Sequence, residues 1–292
     1  MSPSNLVRAP SLFLSHGTGP FPLLDPEQES YREMIRKHAS KLDGVKGILL
    51  FSAHWETEEP RITASNDPGI YYDYEDMRDM LPPAAFKFQY AACGNAILAA
   101  EVADRLRDCG FNPILDYQRG FDHSVYVPMT LLRPQGDIPI VQMSILRGQD
   151  EEDSTQKNIK LGQAVECFRD AGYAVIGSGG SYHDFRAIAN AFFSNTPIPA
   201  GPEKFEDFLL SAATIADPVQ RETALLGWRG HPASIIAHPV GEAEHLMPFM
   251  IVAGSGGDRA GVRFDIIIYR TYPKKMTYQY FRKLTESATP LK

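Results

Sequence analysis

Short apolar runs alternate with stretches of helical periodicity along the chain, the arrangement expected of an α/β protein with a largely parallel sheet. The first run covers 12–15, and the second, 47–53, has the continuous Ile-Leu-Leu-Phe character of a strand covered on both faces. Segments 138–145 and 173–178 read the same way. A late strand is predicted over 262–270, with the tyrosine-rich 278–281 a further candidate. Between the strands, a helix is predicted from Asp25, a good N-cap followed by Pro26, through Tyr31, Met34 and Ile35 to Leu42, where Gly44 stops it. Ile97, Leu98, Val102 and Leu106 recur at helical spacing and stop at Gly110. A polar helix is predicted over 152–171, and 201–226 also reads as helical. Segment 66–88, with Pro68, Gly69, Pro82 and Pro83 among acidic residues and tyrosines, is predicted to leave the sheet as a long excursion. Excursions of that length often form lids or pocket walls. No repeat and no Pro, Gly or Ser linker divides the 292 residues. The expectation is a single catalytic domain over 1–292, a three-layer α/β sandwich around a mostly parallel, mixed sheet.

Composition narrows the function more than the fold. Apolar residues make up 43%, aromatics 11% and charged residues 22%, which excludes disordered, collagen-like and coiled-coil chains. Lys and Arg number 29 against 36 Asp and Glu, a net charge of −7 with no basic block, so neither nucleic acid nor an anionic membrane is an expected partner. Cys93, Cys109 and Cys167 form no CxxC pair and no even disulfide framework, which points to a reducing compartment. No basic-then-apolar leader pattern and no long apolar span stands out, so the expected location is the cytoplasm, with no membrane partner.

The eight histidines carry the chemistry. Three apolar runs end in small residues and then a histidine: SLFLSHGTGP with His16, ILLFSAHW with His54, and AVIGSGGSYH with His183. Open α/β sheets bind ligands at the carboxyl ends of their strands, so histidines placed there can converge on one crevice and hold a metal. His123 in GFDHSVYVP and His245 in GEAEHLMPFM sit in similarly punctuated segments, with Pro248 marking the first turn of a helix. His38, His231 and His238 are read as surface or packing residues, as are the three cysteines. Ser178 lacks the GxSxG frame of a nucleophile elbow, and no GxGxxG or GxxxxGK[ST] pattern supports a nucleotide site. Neutral imidazole suits zinc and iron alike, so these residues fit a zinc-dependent hydrolase, an oxygenase or a metal-binding non-enzyme. Arg119, Arg186 and Arg229 are candidates for a substrate carboxylate, and Trp55 for a pocket wall.

Six motifs in order, SHGTGP, FSAHW, GFDHSVYVP, PIVQMSI, GSGGSYHD and EAEHLMPFM, resemble those of class III extradiol ring-cleaving dioxygenases. The resemblance is to the DOPA 4,5-dioxygenase-type branch of the protocatechuate 4,5-dioxygenase β-subunit-like superfamily, and it extends from about Ser11 to Gly257. It implies that His16, His54 and His245 bind one divalent metal, Fe(II) for activity with Zn(II) a possible occupant. It also implies that His183 serves as acid or base, approaching the metal when no substrate is bound, and that His123 contacts a substrate hydroxyl or oxygen. The implied reactants are a catecholic small molecule and O2, and the implied product a muconic semialdehyde; a monomer or a homodimer is expected. Two departures stand out. Where the protocatechuate-type branch has a glutamate as third ligand, this chain offers His245 with Glu244 beside it, and HGTGP replaces the commoner HGSP.

Overall fold

A computed structural model describes residues 8–79, 81–194 and 196–263. Six strands form one sheet: β1 (Ser11–Ser15), β2 (Gly47–Thr57), β3 (Arg61–Thr63), β4 (Ile114–Asp116), β5 (Ile140–Leu146) and β6 (Tyr173–Gly179), in the order β1-β6-β2-β5-β3-β4. All neighbours are parallel except β3 and β5, which meet antiparallel at Ile62 and Met143. The sheet is therefore mixed and mostly parallel, as expected.

The continuous apolar runs resolve into two faces because successive strand side chains point to opposite sides. Leu49, Phe51, Val141, Met143 and Val175 enter one core, while Ile48, Leu50, Ile140 and Ile176 enter the other. On the second face lie α1 (Phe21–Leu24), α2 (Glu29–Arg36) and, further along the chain, the apolar helix that begins at His123. The first face receives α3 (Ala96–Asp108). Next come α4 (His123–Leu132), α5 (Glu151–Val165), α6 (Cys167–Asp170) and α7 (Phe185–Ser194). The described part ends with α8 (Pro202–Ala213), α9 (Pro218–Leu226), α10 (Ser234–Ala237) and α11 (Met247–Gly254), of which α5, α8, α9 and α11 supply Ile159, Phe205, Leu225 and Ile251 to the first core. Helices on both faces make the three layers.

Several elements differ from the sequence reading. The helix expected from Asp25 to Leu42 is broken: Asp25 accepts from Glu27 N over a 3-10 turn, α2 stops at Arg36, and a second 3-10 turn delivers Leu42 to the core. Such tightened turns are common where a helix ends. The polar helix divides at Glu166, and 201–226 divides where Asp217 caps α9. Ile97 is 75% exposed because it sits one position off the Leu98, Val102, Leu106 stripe of α3 and shares its side with Glu101 and Asp104. Val262 and Arg263 lie outside any strand, and the rest of 262–270, with 278–281, falls outside the described residues.

Candidate metal centre

Five histidines meet around the carboxyl-terminal parts of β1, β6 and β2. His16 follows β1 directly and is 1% exposed. His54 lies within β2 rather than after it. The ladder to β5 is interrupted between Ser52 and Glu56, and this bulge frees the intervening residues from pairing. Ser52 Oγ steadies the bulge by accepting from His54 N (3.1 Å) while donating to the fully buried Asp122. Asp122 also caps α4 through Ser124 N and accepts from Arg119 and Gln142. His123 is thus the first residue of α4, not a loop residue. An Asp before an apolar run was the available signal, and Pro128 within that run obscured it. His245 lies in a 3-10 turn leading into α11. The turn after β6 packs against that segment: Gly180 N donates to His245 O (2.9 Å), and a Cβ on Gly179 would lie 2.2 Å from the same oxygen.

His54 Nε2 stands 3.2 Å from His16 Nε2 and 3.1 Å from His245 Nε2. The other nitrogen of each ring faces an acceptor. His16 Nδ1 is 3.1 Å from Ser178 Oγ, whose own hydrogen goes to Ser124 O (2.7 Å), so the hydroxyl accepts from the imidazole. His245 Nδ1 donates to Glu244 Oε1 (2.8 Å), and His54 Nδ1 faces Asp73 Oδ2 at 3.5 Å. With Nδ1 protonated in all three, three bare Nε2 lone pairs point at one another. Protonating them is no remedy. Burial, and then the neighbouring imidazoles, push His16 and His54 well below the usual histidine range, and burial and His183 bring His245 down to about 4.

The donor set fits a divalent cation. The three nitrogens lie within 4.8 Å of one another. Two nitrogens bound at right angles to a metal about 2.1 Å away would be about 3.0 Å apart. The Nε2 separations about His54 are close to that.

Two carboxylates bracket the triad, and each faces one triad histidine and one flanking histidine. Asp73, in the long excursion, accepts from His123 Nδ1 at 2.7 Å and faces His54. Burial opposes the charge on His123, but Asp73 outweighs it and raises the pKa above the ordinary value; Asp73 itself is lowered, its burial being offset by His123. The excursion is pinned over α4 by Tyr71 N to Phe121 O (2.9 Å) and by a hydroxyl pair between Tyr74 and Tyr126. Glu244 faces both His245 and His183, whose Nδ1 is 3.3 Å away but not aligned for a hydrogen bond. The His183 ring stacks on that of His245, centroids 3.4 Å apart and 11° from parallel. Its nitrogens group with Glu244 and His245 rather than with His16 and His54.

Of the remaining candidates, Arg119 lies against the site. It donates to Asp122 and to His54 O (3.2 Å), with its guanidinium 4.5 Å from the Trp55 ring. Arg186 is exposed, and Arg229 pairs with Glu151. Asp73 and the structural use of Ser178 were missed from sequence. Neither sits in a pattern that marks it.

A mixed α/β sheet with a histidine cluster at its strand ends defines a candidate metal-binding protein, and comparison with known proteins says which kind. Residues 9–278 match the family described as the catalytic LigB subunit of aromatic ring-opening dioxygenase, and the chain belongs to that family. The dioxygenase tasH of Hapsidospora irregularis is 35% identical over 269 residues, covering 88% of this chain and 81% of its own. The 4,5-DOPA dioxygenase extradiol of Portulaca grandiflora is 32% identical over 266 residues, 90% of each chain. A solved structure, the uncharacterized protein JW3007 from Escherichia coli K12, superposes with a TM-score of 0.60 at 24% identity, covering 77% of this chain and 81% of that one, which speaks for the fold alone. The protein is an extradiol, metal-dependent aromatic ring-opening dioxygenase acting on a small molecule and O2. Among the described residues no helix is long and apolar enough to cross a membrane.

Proposed function

We propose that this enzyme opens the ring of a catechol-type aromatic, DOPA-like or related, beside its diol to give a muconic semialdehyde, and that His16, His54 and His245 hold the metal. The observation that carries this is the convergence of three bare Nε2 atoms whose Nδ1 partners face Ser178, Asp73 and Glu244. Fe(II) is the proposed working ion, with Zn(II) a competing occupant because its affinity for nitrogen and oxygen donors is higher. Bound there, the ion supplies the redox coupling between catecholate and O2 that a direct reaction lacks.

The chain's own groups divide the remaining work. His123 has Nδ1 tied to Asp73, which leaves Nε2 as the atom that meets a substrate oxygen. His183, stacked on His245, is the acid or base that takes a proton from the diol and returns it. One catalytic domain is proposed because residues from His16 to His245 build one site on one sheet. The cysteines are free and exposed, which supports a reducing, cytoplasmic setting.

Anaerobic loading with Fe(II), then a catechol panel including L-DOPA, followed by oxygen electrode and by the yellow semialdehyde absorbance, tests the reading. His16→Ala and His54→Ala are expected to lose both metal and turnover, and His183→Ala to lose turnover more than metal. Full activity in either triad variant, or zinc-supported turnover without O2, would overturn it.

A further inference from the structure

His238 reads from sequence as a packing residue, and it is fully buried beside the rings of Phe205 and Trp228, at centroid distances of 5.8 and 6.2 Å. Packing does not account for it. Nε2 lies 3.1 Å from Ser181 O and so carries the hydrogen. Burial brings the pKa down to about 3, which keeps the ring neutral, and the bare Nδ1 has no hydrogen-bond partner among the described residues. A buried unpaired nitrogen costs about 1–3 kcal/mol, which phenylalanine at this position would avoid. What the position keeps in return is the Nε2 donor.

That donor grips the turn carrying His183. The preceding residue holds the same turn a second time, because His183 N donates to Ala237 O (2.8 Å). The strap formed by α10 and His238 is itself anchored: Arg229 Nη1 donates to His238 O (2.6 Å), and Arg229 Nε donates to Glu151 at the start of α5 (2.7 Å). A connected path therefore runs from α5 through Arg229 and His238 to Ser181 and His183. The His183 ring stacks on His245, lies 6.4 Å from the Phe185 ring and faces Glu244 through Nδ1 at 3.3 Å, and its Nδ1 has no aligned hydrogen bond among the described residues.

We infer that His238 is a positioning residue for ring opening: by donating from Nε2 to the Ser181 carbonyl it fixes the 181–183 turn, and with it the His183 imidazole beside the triad. This rests on the reading of His183 as acid or base. The test uses full-length, Fe(II)-loaded protein with L-DOPA and catechol as probes. His238→Phe keeps the ring volume and removes the donor, whereas His238→Gln offers an amide N–H in similar reach.

The expected result for His238→Phe is a kcat about 10–100-fold lower, with metal content, melting temperature and KM near those of the parent, and His238→Gln recovers much of the loss. In a His183→Ala background, His238→Phe adds no further loss, because both act through one group. A His238→Phe enzyme within about twofold of the parent kcat, or losses that multiply in the double variant, overturns the proposal. Loss of metal in both His238 variants assigns the residue to general structure and overturns it too. If His183→Ala is impaired and His238→Phe is not, this proposal alone fails. An unimpaired His183→Ala removes the His183 reading and this one with it.

Discussion

Asp73 shows how one carboxylate sets the state of two rings. It accepts from His123 Nδ1 and from His123 N, faces His54 Nδ1, and its side chain is almost fully buried. Burial alone would strip His123 of its proton; the adjacent negative charge keeps it. Asp73→Asn retains the shape and an acceptor oxygen but removes the charge, so the His123 pKa falls. The expected outcome is a turnover loss of about 10–100-fold with most of the metal retained, and an alkaline limb of the kcat–pH profile that moves to lower pH. Metal analysis beside a pH–rate series checks it, and an unmoved limb would separate His123 from proton handling. The histidines of the site were legible because each follows a recognisable strand or turn signal. Asp73 was not, because it lies among Asp76, Asp79 and Glu75 in an excursion without periodicity, and the tertiary pinning at Phe121 and Tyr126 selects it.

At the scale of elements, His245 depends on how α11 sits, and α11 depends on α5. Their backbones approach so closely that a Cβ on Gly162 would lie 2.0 Å from Ile251 O, and one on Gly254 2.2 Å from Ile159 O. On propensity alone Gly162→Ala should stabilise α5 by about 1 kcal/mol. The clash is with main-chain atoms that no rotamer change relieves, and overpacking of this kind costs about 1–3 kcal/mol or more. The steric term wins. Gly162→Ala is expected to lower stability by about 2 kcal/mol in urea unfolding and to weaken metal retention, because displaced α11 carries His245 away from His54. An alanine variant as stable as the parent would show that the two helices separate freely. Sequence periodicity found α3, α5 and the central strands, since burial on one or both faces writes itself into the pattern. It missed the β2 bulge and the whole of α4, where Ser52 and Asp122 reach each other across the fold and Pro128 interrupts the helical reading.

For the molecule as a whole, a site assembled from five separate elements ties stability to protonation, and the signs can be worked out. His16, His238 and His245 are buried and His54 partly so, and all four have pKa values pushed down, first by desolvation and then by neighbouring imidazoles. In the unfolded chain each takes a proton below about pH 6.5. Between that pH and the folded values, about 4 for His245 and about 3 for His238, the unfolded chain binds more protons, so stability falls as the pH falls. Each histidine contributes a slope of about 1.4 kcal/mol per pH unit. His123 has the opposite sign: its stabilisation is complete below about pH 6.5 and is lost as the pH rises through its raised folded value. Against a typical total of about 5–15 kcal/mol, the two windows defined by His245 and His238 alone are a sizeable loss for the metal-free protein, and His16 and His54 act in the same direction. Metal binding needs the same nitrogens unprotonated, so it opposes their titration and moves the loss to lower pH. Urea midpoints of chelator-stripped protein from pH 8 to 5 should drop steeply, less so with added Zn(II), and His238→Phe should be shallower by one proton. Midpoints level across that range would mean that the folded protein protonates these imidazoles as readily as water does, and the neutral, metal-ready triad would have to be given up.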